Sequence, residues 1–103
     1  MKKRCKIILL AVIIGYATYY GVGDGFAWKT MANGKPMNPQ AMTCASWHYP
    51  LGAVLDVRYA GRKVVVEVTD RGGYHQLDLS AGAFERLAPL SAGVIKVEIR
   101  RVR

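Results

Sequence analysis

Alternation of apolar and polar side chains with a period of two is the feature that most constrains how this 103-residue chain can fold. The apolar members of the pattern are Leu55, Val57, Tyr59, Val64, Val66, Val68, Ile95, Val97 and Ile99. Such alternation is typical of strands that bury one face and expose the other. Because a chain this short can bury one modest core, the pattern predicts a single, mainly β domain.

The segments between the predicted strands indicate how these strands are connected. Ala60-Gly61-Arg62 predicts a tight hairpin, whereas the prolines and Asn33-Gly34 within residues 29–52 predict a long irregular crossing. Ser80 is expected to cap a short helix that stops before Pro89. Short strands, one small helix and long crossings together predict a closed barrel, since closure removes exposed strand edges.

The first 17 residues have the order of a secretory signal. A basic run within residues 2–6 precedes an apolar stretch, Ile7 to Ile14, and then the small residues Gly15 and Ala17. We therefore predict cleavage after Ala17, a domain over residues 18–103, and an exported protein, periplasmic or extracellular. The apolar stretch is shorter than the roughly 20 residues of a membrane span. Two alternatives are a buried first strand and an uncleaved N-terminus, which would be the only expected contact with a membrane.

The charge pattern argues against a nucleic-acid reader. The formal net charge is +8, but four of the fifteen cations lie in the first six residues, so the remaining eleven against seven acidic groups give +4. That excess suits an anionic polymer or surface, although the clustered basic stripe and stacking aromatics of nucleic-acid readers are absent from the sequence. His48 and His75 have no visible set of partner ligands, so no metal or other cofactor is expected.

Five sequence segments, in this order, carry a resemblance to a known family. They are ATYYGVGDG at 17–25, ANGKPMN at 32–38, MTCASWHYPLG at 42–52, VTDRGG at 68–73 and LDLSAGAFERLA at 77–88. Together with VIKVEIRRV at 94–102, they resemble the rare lipoprotein A (RlpA) family of double-psi β-barrels, whose relatives include expansins and family-45 endoglucanases. The resemblance implies a six-stranded double-psi barrel with two interlocked crossing loops, a short helix after LDLS, and a groove for a polysaccharide.

The polar residues of the family are matched unevenly. RlpA-like transglycosylases have a glutamate, an acidic residue and a histidine at the places of Lys35, Asn38 and Ser46. The fourth polar position of the family, the aspartate of its Asp-Arg-Gly-Pro motif, is retained as Asp70. The expansin branch resembles this chain more closely. The threonine on the groove floor of expansins corresponds to Thr18, and their Thr-Asp motif corresponds to Thr69-Asp70. The aspartate of their Asp-Leu-Ser segment corresponds to Asp78, and this aspartate is the general acid in the related hydrolases.

Asp78 and Asp70 are accordingly the candidate catalytic residues. Inverting hydrolysis needs two carboxyl groups roughly 6.5–9.5 Å apart, and Asp24 is the candidate for the second group. A lytic transglycosylase can instead work with one carboxyl group, which acts first as the acid and then as the base. The plainer interpretations are that Asp78 complements the dipole of the following helix and that Asp70 organises an Asx turn. His75, three residues from Asp78, could instead hold this carboxylate ionised.

The remaining candidates are expected to bind a glycan strand. Aromatic rings can stack on sugars, and cations can meet the carboxylates of a cell-wall glycan, although buried aromatics and solvated charges are common alternatives. The predicted substrate-binding residues are Thr18, Tyr20, Asp24, Lys35, Ser46, Trp47, Arg71, Tyr74 and His75.

Three functions remain open from the sequence. The first is lytic transglycosylase-like cleavage of the MurNAc–GlcNAc backbone of peptidoglycan. The second is a non-catalytic, expansin-like module that binds or loosens glycan strands through the same groove. The third is a structural barrel in a phage or secretion assembly, in which the groove is unused.

Overall fold

Six strands close into one barrel in the computed structural model, which describes residues 12–73 and 76–103. The strands are β1 (Val12–Tyr20), β2 (Thr43–Ala45), β3 (Val54–Tyr59), β4 (Arg62–Asp70), β5 (Gln76–Ser80) and β6 (Ile95–Arg101). One short helix, α1 (Ala81–Glu85), follows β5, and a 3-10 turn covers Leu90–Ala92. The expectation of a mainly β, six-stranded barrel with one short helix after LDLS is confirmed.

The strand order around the barrel is β1-β5-β2-β4-β3-β6. The β1–β5 and β2–β4 pairs are parallel, and the other four pairs are antiparallel. The alternating residues of the sequence point inward as expected, so that Val57, Val66 and Val97 are almost fully buried in the core. This core is continuous with Phe84 of α1, whose ring centroid lies 4.9 Å from that of Tyr19.

Residues 21–42 connect β1 to β2 and are called the crossing segment below. Helix α1 is hydrogen-bonded to this segment. The Ser80 hydroxyl accepts a hydrogen bond from the Ala83 N–H at 3.1 Å, which confirms the predicted cap, and donates to the Ala41 carbonyl at 2.6 Å. Gly82 donates its N–H to the Pro39 carbonyl at 2.8 Å. A Cβ atom at Gly82 would lie 2.9 Å from the backbone of Gln40, so this close contact requires glycine.

The crossing segment packs on the outside of the barrel through a second, smaller apolar cluster. Tyr20, Met31, Met37 and Ala45 are its buried members. Gly21 begins the crossing with φ +100, and a Cβ atom there would come within 2.6 Å of the Met37 side chain. Glycine at this position therefore permits both the left-handed turn and the close packing of methionine against it.

Strand β2 lies inside the region that the sequence predicts to be irregular. It has three residues, too few for a period-two pattern, and it pairs with β4 on one side and β5 on the other. Its formation therefore depends on partners that are distant in the sequence. Among residues 12–73 and 76–103, no helix is long and apolar enough to cross a membrane.

The first strand begins earlier than the expected domain boundary at residue 18. Residues 12–17, six of the nine in β1, form the whole register with β6, from Val12 opposite Arg100 to Ala17 opposite Ile95. The barrel thus includes residues that we assigned to the N-terminal segment. Cleavage after Ala17 stays a prediction, and residues 1–11 lie outside the described part of the chain.

A chain that starts at Thr18 is expected to lose the cooperative fold, because the barrel would lack its β1–β6 pairing and expose the edge of β6. The matched control is the chain that starts at Val12. Thermal unfolding followed by circular dichroism would compare the two. A cooperative transition of the shorter chain within a few degrees of the control would contradict this prediction.

Candidate active site

A row of paired residues crosses four strands on the outer surface of the barrel. Ala45 of β2 pairs with Asp70 of β4 and with Asp78 of β5, and Asp78 pairs in turn with Thr18 of β1. Directly opposite residues on neighbouring strands project to the same side. Both candidate catalytic aspartates therefore lie along one row, separated by the small side chain of Ala45.

An irregularity between β2 and β4 brings Asp70 into this row. Cys44 pairs with Val68, but the next residue, Ala45, pairs with Asp70, so Thr69 has no partner in the register. Two residues opposite one is the arrangement of a β-bulge, which re-aims side chains. As a result Thr69 and Asp70 both face the crossing segment, with Thr69 Oγ1 3.3 Å from the sulfur of Met31.

Asp78 has the environment of a carboxyl group that retains its proton. Burial raises the pKa of Asp78, the hydrogen bond from Thr18 Oγ1 to Asp78 Oδ1 at 2.9 Å opposes that effect, and the negative charges of Asp24 and Asp70 raise it further. The net direction is upward from the usual aspartate pKa. An upward shift of the pKa is the direction that a general acid requires.

Asp70 is instead saturated with hydrogen bonds. Its carboxylate accepts from the Tyr20 hydroxyl at 3.0 Å and from the N–H groups of Ala32 and Arg71, both at 2.9 Å. Burial, reinforced by this bond to Asp70, raises the pKa of Tyr20, so the phenol remains a donor. The bond to the Arg71 N–H is the local turn bond expected from the sequence. Together the three contacts favour a positioning role for Asp70, and its catalytic role stays a prediction.

Asp24 and Lys35 lie on exposed parts of the crossing segment. The Asp24 carboxylate accepts from the Gly21 N–H at 2.9 Å and from the Phe26 N–H at 3.0 Å, so it shapes the first loop. Lys35 is exposed near the tip of a small hairpin, where Asn33 accepts its backbone N–H. Both side chains are accessible to a ligand, as a substrate-binding role would require.

Ser46 and Arg71 bind backbone groups of the loop that follows β2. Ser46 is only 3% exposed, and its hydroxyl accepts from the N–H groups of His48 and Tyr49 at 3.0 and 3.2 Å. Arg71 Nη1 donates to the Ser46 and Tyr49 carbonyls at 2.7 and 2.6 Å. The geometry therefore favours a structural role for both residues over the direct glycan contact expected from sequence.

The aromatic side chains expected to bind sugar differ in their exposure to solvent. Tyr20 is only 8% exposed and its ring lies beside Phe26, at a centroid distance of 6.1 Å, so it presents no free stacking face. Trp47 is half-exposed, in line with a surface role. Phe26 and Trp28 are 55% and 63% exposed, and Phe26 was not among the aromatic residues expected beside the groove. Tyr74 and His75 lie outside the described residues.

Two other types of chemistry can be assessed from the geometry. The Cys44 thiol lies inside the barrel, where burial raises its pKa to about 12, so it is protonated at neutral pH and is a poor nucleophile. In the described ranges, 12–73 and 76–103, no three histidine, cysteine, aspartate or glutamate side chains form a candidate metal site.

The closed six-stranded barrel with two parallel strand pairs and an outer carboxylate row defines the class as a double-psi β-barrel of the RlpA type. Residues 12–99 match the family model described as Lytic transglycolase, and the chain belongs to that family. It is 42% identical over 90 residues to "Probable endolytic peptidoglycan transglycosylase RlpA" from Nostoc sp.. That match covers 82% of this chain but 24% of the relative, so the chain spans about a quarter of that protein's length.

Solved structures with the same fold extend the comparison. The Streptomyces papain inhibitor has a TM-score of 0.73 and 29% identity, with 93% of this chain and 99% of the inhibitor covered. A mutant expansin of Clavibacter michiganensis in complex with cellohexaose has a TM-score of 0.72 and 29% identity, with 90% of this chain and 51% of the expansin covered. Chains with this fold therefore include an inhibitor and an expansin, so the fold alone does not assign a function to this chain.

The two aspartates are expected to differ sharply in their effect on stability. Asp70→Ala should lower the free energy of unfolding by about 2–4 kcal/mol, because three donors lose their acceptor, each costing about 1 kcal/mol or more. Asp78→Ala removes one accepted hydrogen bond and also a partly buried charge, so its cost should be clearly smaller. Urea unfolding at neutral pH measures both, and equal losses would contradict the assignment of Asp70 as the positioning residue.

Asp78 should also give stability a characteristic pH dependence. Because its pKa is raised in the folded state, its contribution is fully present below the unfolded pKa and is lost as pH rises through the folded pKa. Asp78→Asn should therefore gain stability relative to the native chain as pH rises from about 4 to 7. Melting temperatures over this range test the sign, and a gain that appears only at the acidic end would refute it.

Proposed function

We propose that this barrel cleaves the glycan backbone of peptidoglycan by lytic transglycosylation, with Asp78 as the acid and base. The observation that carries the proposal is the half-buried Asp78 carboxyl with a raised pKa, held by Thr18 in the outer row of the barrel. Membership of the lytic transglycolase family supports the same reaction. The RlpA relative from Nostoc supports peptidoglycan as the substrate.

One carboxyl group is sufficient for this reaction. Protonated Asp78 donates its proton to the glycosidic oxygen as the bond from C1 of MurNAc to that oxygen breaks, which leaves a GlcNAc hydroxyl. The resulting carboxylate then accepts the proton of the MurNAc C6 hydroxyl, whose oxygen forms a new bond to C1. The product ends in 1,6-anhydro-MurNAc, and Asp78 regains its proton without a water molecule.

Neighbouring residues prepare Asp78 for both steps. Thr18 binds Oδ1, which fixes the carboxyl and leaves Oδ2 for the transferred proton. Asp70 holds Tyr20 and Ala32 beside the row, so the crossing segment forms a fixed wall.

The second candidate is glycan binding without cleavage. The complex of an expansin mutant with cellohexaose favours it, because that barrel resembles this one over 90% of the present chain. The replacement of the RlpA glutamate and histidine by Lys35 and Ser46 points the same way. The two candidates share the groove and differ in whether the Asp78 proton is transferred.

A peptidoglycan substrate also implies export. The basic and apolar order of residues 1–17 supports a secretory route, as does the family of wall-acting relatives. We place the protein outside the cytoplasmic membrane.

The reaction can be tested with the purified full chain and intact sacculi or peptide-stripped glycan strands. Released sugars analysed by mass spectrometry should end in 1,6-anhydro-MurNAc. Asp78→Asn should reduce product formation by at least about a hundredfold, the lower range for loss of an acid-base group. The rate should also fall as pH rises through the raised pKa of Asp78, because the acid must be protonated.

Other products distinguish the alternatives. Reducing ends would indicate hydrolysis, with Asp24 as the first candidate for a second carboxylate. Cosedimentation with sacculi and no product would overturn cleavage in favour of glycan binding. If the chain neither binds sacculi nor releases product, the structural role is supported instead. In that case Asp78→Asn should not change the function of the protein.

A further inference from the structure

Trp28 has a backbone conformation that bulky residues rarely adopt. Its φ is +67, and Ala60 is the other non-glycine residue with positive φ among those described. Ala60 lies in the tight β3–β4 hairpin beside Gly61, where such angles are expected. Trp28 is the third residue of a hydrogen-bonded turn, in which the Lys29 N–H donates to the Phe26 carbonyl at 3.1 Å. The left-handed conformation at that position suits glycine and costs a bulky residue roughly 1–2 kcal/mol. Backbone strain of this kind persists where surrounding contacts enforce it, and it often marks a functional position.

A small hairpin of the crossing segment enforces the conformation. The Trp28 N–H donates to the Met37 carbonyl at 2.6 Å, and the Met37 N–H donates to the Lys29 carbonyl at 2.8 Å. Met37 is itself buried in the second apolar cluster. The backbone of Trp28 is therefore held by a hydrogen bond to a buried residue, while its side chain is largely exposed.

The hairpin is also attached directly to the candidate site. The Ala32 N–H donates to Asp70 and the Asn33 N–H donates to the Thr69 carbonyl at 3.1 Å. At about 3.3 Å per extended residue, Trp28 lies within roughly 13 Å of Ala32 along the chain. Trp28 therefore belongs to a hairpin that is attached to the carboxylate row through Ala32, and its ring is exposed to solvent.

We propose that Trp28 forms a distal subsite, where its indole face stacks on a pyranose ring of the bound glycan strand. The Trp28 ring is 63% exposed on a strained backbone. Exposing this apolar surface to water costs free energy, and a ligand that covers the ring offsets that cost. The C–H face of a pyranose ring suits the negative face of an indole. The subsite rests on the proposed glycan-binding groove and adds a specificity for strands long enough to span from Asp78 to Trp28.

The test uses the full chain with Asp78→Asn, so that strands bind without being cut. Into this background we would introduce Trp28→Gly, Trp28→Phe and Ala60→Gly. Affinity for peptide-stripped glycan strands and for a single disaccharide would be measured by calorimetry, and stability by thermal unfolding. Ala60→Gly is the matched control, because it relieves a positive φ on the β3–β4 hairpin, away from the proposed groove.

Trp28→Gly should weaken binding of long strands about fivefold or more, while its melting temperature stays equal or rises by up to about 8 °C. Trp28→Phe should retain most of the affinity, and Ala60→Gly should not change it. A merely structural tryptophan would instead lose stability together with binding. Equal affinity of Trp28→Gly for long strands, or no strand binding by the parent chain, would overturn the subsite. Because cleavage is not measured here, failure of the reaction proposed above would be seen separately.

Discussion

The arrangement of the site depends on the hydrogen bonds that converge on Asp70. One carboxylate accepts from β1 through Tyr20, from the crossing segment through Ala32, and from the residue that follows β4, Arg71. Each of these three pieces of chain would otherwise need its own partner at the surface of the barrel. Since an unpaired donor in a partly buried position is costly, the carboxylate fixes all three together.

Fixing those pieces gives the two aspartates different environments within one row. Asp70 accepts hydrogen bonds on both oxygens, whereas Asp78 accepts from Thr18 alone among the described residues, and burial raises the pKa of Asp78. The negative charge held on Asp70 further favours the protonated form of Asp78. Neighbouring carboxyl groups whose environments differ in this way are a recurrent arrangement in enzymes that use one of them as an acid.

Several parts of this picture could be predicted from the residues alone. Period-two alternation identified β3, β4 and β6, and Ser80 was the expected helix cap. The resemblance of LDLS and VTDRGG to the family identified both aspartates. Strand β2 was missed because three residues carry no period and form a strand only between β4 and β5. Ser46 and Arg71 look like ligand-binding residues in the sequence, which cannot show that their polar atoms bind nearby backbone groups.

The sequence by itself determined the class of fold and the chemistry available, because strand periodicity and side-chain identity are local properties. Only the tertiary structure decided that the pKa of Asp78 is raised, since burial and neighbouring charge depend on residues distant in the chain. It also placed residues 12–17 in the barrel through their pairing with β6, and revealed the strained, exposed Trp28. The β1–β6 pairing joins residues that are distant in the chain, for which the local sequence carries no signal.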